Sequence, residues 1–207
     1  TMLNGIRIVE IEGLGPTPFA GMLFSDLGAE VTVIHRKDKS DFSNHKNILD
    51  RGKRSIELNL KNPDDLVVAK KLIIRSDAVI EGFRPGVMEK LGLGPNEFSE
   101  NPSLVFGRMT GWGQDGPKSK QAGHDLNYIG LSGALWFASH PNTPPFTPPA
   151  LVGDVGGGAL YLVIGVLSAI LNAKESGKGS VVDAAIVDGS ANMMNLFMSL
   201  QNTGMLS

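Results

Sequence analysis

Two short segments combine an acid–base side chain with the predicted start of a helix and with neighbouring glycines. His124 stands in the sequence GHDLNY and Asp154 in the sequence GDVGGG, each directly before a predicted helix. A helix N-terminus disfavours a charged imidazolium, so a histidine placed there can be neutral at pH 7 and ready to accept a proton. An imidazole and a carboxylate in such surroundings suit proton transfer between two bases. Each residue also has a purely structural interpretation, as a helix cap or a buried side chain.

Three glycines follow Asp154, at positions 156–158. Glycine lets a substrate approach the backbone closely and leaves amide groups free to face a developing negative charge. Eleven of the 26 glycines lie between residues 107 and 158, a stretch that holds both His124 and Asp154. The sequence therefore predicts that glycine amides near 156–158 stabilise an anionic intermediate.

Basic residues follow two of the predicted strands. Arg36 ends the run VTVIHR, and Arg84 lies in EGFRPG. Because the carboxyl ends of parallel strands gather at one edge, where ligands bind, we expect the two arginines to converge there. A basic residue after the second strand suits a ribose phosphate, as in NADP or in the 3′-phosphate of coenzyme A, although a solvated basic turn is the alternative. A second basic cluster, RGKR, occupies residues 51–54.

The loop after the first predicted strand only partly matches a dinucleotide-binding fingerprint. The loop reads GLGPTPFAG over residues 13–21, and Pro18 stands where the third glycine is required. NADP-dependent oxidoreduction is therefore the weakest of the enzymatic interpretations.

The elements that must position these residues alternate between strands and helices. Predicted strands are 6–11, 31–34, 77–80, 104–106 and 180–182; predicted helices are 16–27, one from residue 62, 124–134, 156–173 and 184–202. A strand–helix–strand order predicts an α/β fold with a parallel sheet and right-handed crossovers. The uncharged run 156–173 predicts a buried central helix rather than a membrane span. Five prolines between residues 138 and 150 predict an irregular surface connection.

Composition excludes several kinds of protein. The 207 residues carry a net charge of −2, which removes the general electrostatic case for nucleic acid. There is no cysteine, so thiol catalysis and disulfides are excluded, and a cytoplasmic location is expected. The four histidines, among them His45, show no metal-ligand spacing, so no metal is expected.

Five segments in order carry a family resemblance. They are RGKRS (51–55), GVMEKL (86–91), MTGWGQ (109–114), AGHD (122–125) and GSVVDA (179–184). With them the chain resembles the family III CoA-transferase superfamily from about residue 3 to residue 205, and His124 favours its α-methylacyl-CoA racemase branch. The resemblance implies a Rossmann-like parallel sheet with helices on both faces, and coenzyme A as part of the substrate rather than a separate cofactor.

The resemblance also assigns site residues. It implies that His124 and Asp154 are catalytic, on opposite faces of the α-carbon of a 2-methylacyl-CoA thioester. Residues implied to bind CoA or substrate are Arg36, Leu58, Asn59, Leu60, Lys61, Arg84, Gly123, Asp125, Leu126, Asn127 and Tyr128. The implied reaction is racemisation at the α-carbon through an enolate. The alternatives are CoA transfer with Asp154 as the nucleophile, and a CoA-binding fragment that is catalytically incomplete.

Members of this superfamily are longer than 207 residues. They carry a small C-terminal domain, absent here, and form interlocked homodimers, and a glutamate that assists the catalytic histidine lies in their later part. The resemblance therefore implies that residues 1–207 are the CoA-binding large domain of a truncated or split chain. A homodimer that binds acyl-CoA, with no nucleic-acid or membrane partner, is expected.

Overall fold

The computed structural model describes residues 1–37 and 47–206, and it contains a six-stranded parallel sheet. The strands are β1 (Arg7–Ile11), β2 (Glu30–Arg36), β3 (Arg54–Leu58), β4 (Ala78–Glu81), β5 (Val105–Thr110) and β6 (Val181–Ala185). Their spatial order is β3-β2-β1-β4-β5-β6, the order of a Rossmann-like fold. His45 lies outside the described residues.

Helices cover both faces of this sheet. They are α1 (Pro16–Asp26), α2 (Pro63–Ile74), α3 (Val87–Lys90), α4 (Asp125–Ser132), α5 (Leu160–Ser176), α6 (Ile186–Met193) and α7 (Asn195–Asn202). Phe24 of α1 and Leu162 of α5 share a core with Ile8, while Ile73 of α2 packs with Val9 on the other face. Because side chains alternate along each strand, β1 contributes to both cores. The predicted Rossmann-like α/β fold is confirmed.

The long apolar helix differs from its prediction in two ways. It begins as a π-helix, Leu151–Ala159, which continues directly into α5. It is also not fully buried: α5 packs one side against the sheet, while Leu160, Ile164 and Leu171 on its outer side are 42%, 60% and 68% exposed. By length and composition alone, the helix could span a membrane.

The C-terminal helix is also corrected. Residues 184–202 are not one helix, because Ala184 and Ala185 extend β6 and pair with β5. Their small side chains are buried in the sheet. The helical part is then divided at Met194 into α6 and α7.

The basic cluster at residues 51–54 is paired within the fold. Lys53 Nζ lies 2.7 Å from Glu10 Oε2, and both side chains are buried. Lys53 also donates to the carbonyl of Pro18 at 3.0 Å. Arg51 Nε donates to Asp26 at 2.9 Å, and Arg54 lies 3.5 Å from Glu30 in an exposed pair. These cations therefore join β1, α1, β2 and β3, and their main role is in the fold.

The Glu10–Lys53 pair predicts a pH-dependent stability. Burial raises the pKa of Glu10, and the Lys53 ammonium opposes that rise. At about pH 8, Lys53→Met should lower the free energy of unfolding by about 3 to 5 kcal/mol, because it leaves a buried carboxylate without its counter-charge. As the pH falls, Glu10 takes up a proton at a higher pH in the folded state than in the unfolded state. The loss of stability caused by Lys53→Met should therefore become smaller toward about pH 5. Urea unfolding of both proteins at the two pH values measures this difference.

The exposed Arg54–Glu30 pair provides the matched control. Arg54→Met should leave stability almost unchanged, because exposed ion pairs contribute little. An equal loss for Lys53→Met at both pH values would contradict the role given to the Glu10 charge.

Candidate active site

Arg36, Arg84 and the segment 58–61 lie at one edge of the sheet, where the parallel strands end, and Asp154 lies next to the loop after β1. The strand order reverses between β1 and β4, which are neighbours. The loop 13–15 leaves β1 at this point, and the turn containing Arg84 leaves β4 beside it. Such a reversal opens a crevice at the carboxyl ends of the strands, which is where open α/β sheets bind ligands.

A hydrogen bond joins the segments that carry His124 and Asp154. Asp125, the first residue of α4, is buried, and its Oδ2 accepts the backbone N–H of Asp154 at 2.7 Å. A Cβ atom on Gly153 would lie 2.5 Å from the same oxygen, so only glycine permits this approach. His124 is the N-cap of α4, and its N–H donates to Asn127 Oδ1 at 2.9 Å. The start of α4 is thereby fixed against the start of the long helix.

Asp154 is half-buried within the π-helical segment. Burial raises the pKa of its carboxyl group, the charge of Asp125 raises it further, and the charge of His124 lowers it. Asp125 and His124 are thus both within electrostatic reach of Asp154. One oxygen of Asp154 lies 3.7 Å from the place where a Cβ atom of Gly15 would stand, next to the loop after β1. π-Helical segments occur frequently at functional sites, and here one carries the candidate acid.

The glycines at 156–158 have a different role from the one expected. In a π-helix each N–H donates to the carbonyl five residues earlier, so these amides are used within the helix. A Cβ atom on Gly157 would lie 2.3 Å from Ser190 Oγ, and one on Gly158 would lie 2.9 Å from Ile186 Cγ1. The missing side chains therefore let α6 pack closely on the helix. The expectation that these amides face an anionic intermediate is wrong.

Tyr128 belongs to α4, the helix that begins directly after His124. It is buried, and its ring meets Trp112 edge to face with 4.7 Å between the ring centroids. A Cβ atom on Gly123 would lie 2.8 Å from the Tyr128 ring, so Gly123 is required for this packing. Burial and the charge of Asp154 raise the pKa of Tyr128, while the charge of Arg84 lowers it. Tyr128 is therefore within electrostatic reach of both the candidate acid and a candidate phosphate-binding cation.

The Arg36 guanidinium group contacts the turn that carries Arg84. The Arg36 guanidinium carbon is 5.5 Å from the centroid of the Phe83 ring, and Phe83 directly precedes Arg84. The Arg36 N–H donates to Glu12 Oε2 at 2.8 Å, which fixes the backbone at the end of β2. Both guanidinium groups are exposed at the same edge. Arg36 therefore contacts the residue directly before Arg84, while the convergence of the two guanidinium groups on one ligand stays a prediction.

The segment 58–61 lies next to Arg36, because Leu58 is its register partner on β3. The Leu58 side chain is in the core, and the backbone N–H of Asn59 donates to Asp65 Oδ2 at 2.8 Å. Leu60 is half-buried and Lys61 is exposed. Leu58 can therefore reach a ligand only through its backbone, whereas Lys61 presents its side chain to solvent.

Two of the residues at this site were missed by the sequence interpretation. Glu12 Oε2 accepts the backbone N–H of Arg36 at 2.8 Å, and Glu12 Oε1 lies 3.2 Å from His35 Nδ1. Phe83 supports Arg36. Each lies within two residues of the end of a strand, which is the signal that could have revealed them. Leu126 is exposed beside His124, and the binding roles of Leu126 and the other implied residues stay predictions.

Known proteins resemble the chain along nearly its whole length, as its five motifs predict. α-Methylacyl-CoA racemase of Mus musculus is 41% identical over 205 residues, which are 99% of this chain and 53% of that protein. Succinyl-CoA–D-citramalate CoA-transferase of Chloroflexus aurantiacus is 32% identical, over 98% of this chain and 54% of that protein. The relatives thus carry the names of two different activities.

A CaiB/BaiF family protein from Brucella suis has a solved structure with the same fold. Its TM-score is 0.89 at 27% identity, and the match covers 100% of this chain and 59% of that one. The chain spans about half the length of the curated relatives it matches. The sequence of residues 3–205 matches the protein family described as CoA-transferase family III. The chain therefore belongs to CoA-transferase family III.

Proposed function

We propose that this chain carries the acid–base centre of a racemase that acts on 2-methylacyl-CoA thioesters. The observation that carries the proposal is the hydrogen bond from the Asp154 N–H to Asp125, which brings the His124 and Asp154 segments together. The 41% identity to α-methylacyl-CoA racemase supports the choice of substrate class. The chain spans about half of that relative, so the assignment of a racemase activity to this chain is itself part of the proposal.

The proposed reaction moves one proton off the α-carbon and returns another to the opposite face. The thioester makes the α-hydrogen acidic, so a base removes it and a planar enolate forms. In the (S) to (R) direction His124 is the base and Asp154 is the proton donor, with the roles exchanged in reverse. Burial favours the proton-bearing form of Asp154, which suits a donor. The amides of glycines 156–158 are used within the helix, so the proposed group that stabilises the enolate oxygen is the positive N-terminal end of α4, next to His124.

The CoA portion of the substrate is proposed to lie along the sheet edge. Arg36 and Arg84 would contact its phosphate groups, and the segment 58–61 would line the adenine side, since all of them lie at the carboxyl ends of parallel strands of one sheet. Coenzyme A enters as part of the substrate, and no separate cofactor is proposed. A homodimer and a cytoplasmic location stay predictions.

CoA transfer is the second candidate, and the 32% identity to a CoA-transferase favours it. In that reaction an ionised Asp154 would attack the thioester carbonyl carbon, the C–S bond would break, and CoA thiolate would leave an acyl-enzyme anhydride. The raised pKa of Asp154 disfavours the ionised form, and transfer gives no role to His124. The third candidate is a chain that binds CoA but lacks the groups needed for turnover.

Solvent exchange tests the proposed reaction. In deuterium oxide, the chain should place deuterium on the α-carbon of 2-methylacyl-CoA and form both enantiomers, as measured by NMR and chiral chromatography. His124→Ala should lower the rate of inversion by about 10² to 10⁴-fold, the usual contribution of a general base. Asp154→Asn should still exchange the (S) enantiomer through His124 while failing to invert it. His140→Ala, which changes an exposed histidine, is the matched control.

Two outcomes of that experiment would oppose racemisation. An acyl adduct on Asp154, trapped by hydroxylamine with a carboxylate acceptor present and without α-deuterium, would establish CoA transfer instead. Binding of CoA with neither exchange nor adduct would identify the incomplete fragment.

The Asp125 charge predicts a shift in pH dependence. Asp125→Asn keeps an oxygen that accepts from the Asp154 N–H but removes the charge that helps to raise the pKa of Asp154. The pKa of Asp154 should fall, so the pH range in which Asp154 can donate a proton moves to lower pH. The pH profile of the (S) to (R) rate measures this change, and Asp64→Asn on α2 is the control. A profile that does not move would contradict the coupling.

A further inference from the structure

A buried guanidinium lies beneath the turn that carries Arg84. Arg108, in the middle of β5, is 6% exposed and lies over the Phe106 ring, with 5.4 Å to the centroid. Its Nε donates to Glu81 Oε1 at 2.9 Å. Its two terminal nitrogens donate to the carboxylate of Glu89 at 2.6 and 3.0 Å. One side chain thus holds two carboxylates, and the second pair is bidentate, the most directional form of this contact.

The two carboxylates lie at the two ends of one turn. Glu81 is the last residue of β4, and Glu89 belongs to α3, so the turn 82–86 runs between them. Glu81 reaches further into the turn, because its Oε2 accepts the N–H of Phe83 at 2.7 Å. Arg108 therefore connects β5 to both ends of the turn and, through Glu81, to the residue directly before Arg84.

This arrangement needs the guanidinium in place. The Glu81 side chain is almost fully buried, and burial raises its pKa, while the Arg108 hydrogen bond opposes that rise. An ionised carboxylate accepts a backbone N–H more strongly than a neutral one. Buried ion pairs contribute little net stability compared with apolar packing, and the best supported reason to retain one is the arrangement it specifies.

We propose that Arg108 is a positioning residue that holds the Phe83–Arg84 turn in place for the phosphate groups of CoA. It acts through Glu81 and Glu89 and does not touch the ligand. Phe83 in turn supports Arg36, so both phosphate-binding arginines depend on the same turn. The inference rests on the proposed function, because it names CoA as the ligand.

The test compares two ligands and two variants. Arg108→Lys keeps the charge but loses the planar fork, and Glu89→Gln weakens only the exposed end of the network, so that Glu81 stays paired. Arg108→Lys should raise the dissociation constant for CoA by about tenfold, since an ammonium cannot reproduce bidentate pairing. Glu89→Gln should raise this dissociation constant by a smaller factor.

Neither substitution should change the binding of 2-methylacyl-pantetheine, which lacks the nucleotide. Calorimetry for CoA and NMR titration for the pantetheine thioester measure both.

Arg54→Met is the matched control, because its cation is exposed at the opposite end of the strands. Thermal unfolding of each variant reports the structural effect separately. An Arg108→Lys protein that binds CoA normally would overturn the inference, as would one that loses both ligands equally. A wild-type chain that fails to bind CoA would instead overturn the proposed function.

Discussion

The candidate site depends on one hydrogen bond between two helix starts. The buried carboxylate of Asp125 accepts the N–H of Asp154 at 2.7 Å, so the beginning of α4 cannot move independently of the long helix. The same carboxylate raises the pKa of Asp154, which links the geometry of the site to its protonation. Gly153 makes the contact possible, because a side chain there would occupy the space of the carboxylate. His124 is adjacent to Asp125 and is held in place with it.

Carboxylates have a similar structural role at the other end of the site. Glu12 follows β1 and holds the backbone of Arg36, while Glu81 ends β4 and holds the backbone of Phe83. Both strands lie at the reversal of strand order, so the sheet brings these cationic turns to the same edge as the acid–base pair. Tyr128 connects the two regions electrostatically, because its pKa responds to Arg84 and to Asp154.

Local chemistry made much of the fold predictable. Asn62 before a proline and two acids predicts a capped helix, and its side chain does accept the N–H groups of Asp64 and Asp65. β3 was missed because it is an edge strand whose exposed positions carry charges, which hides the apolar pattern. The role of glycines 156–158 could not be read from the sequence, since it depends on how closely α6 approaches. His124 and Asp154 were found from their residue types, but the bond through Asp125 joins residues 29 positions apart.

The position of the thioester relative to the two candidate bases is the central claim, and a crystal structure with bound 2-methylacyl-CoA measures it directly. The account predicts that the α-carbon lies between the His124 imidazole and the Asp154 carboxyl group, on opposite faces and about 3 to 3.5 Å from each. The CoA phosphates should then lie beside Arg36 and Arg84. A thioester with both side chains on one face, or with only Asp154 near its carbonyl carbon, would contradict the account.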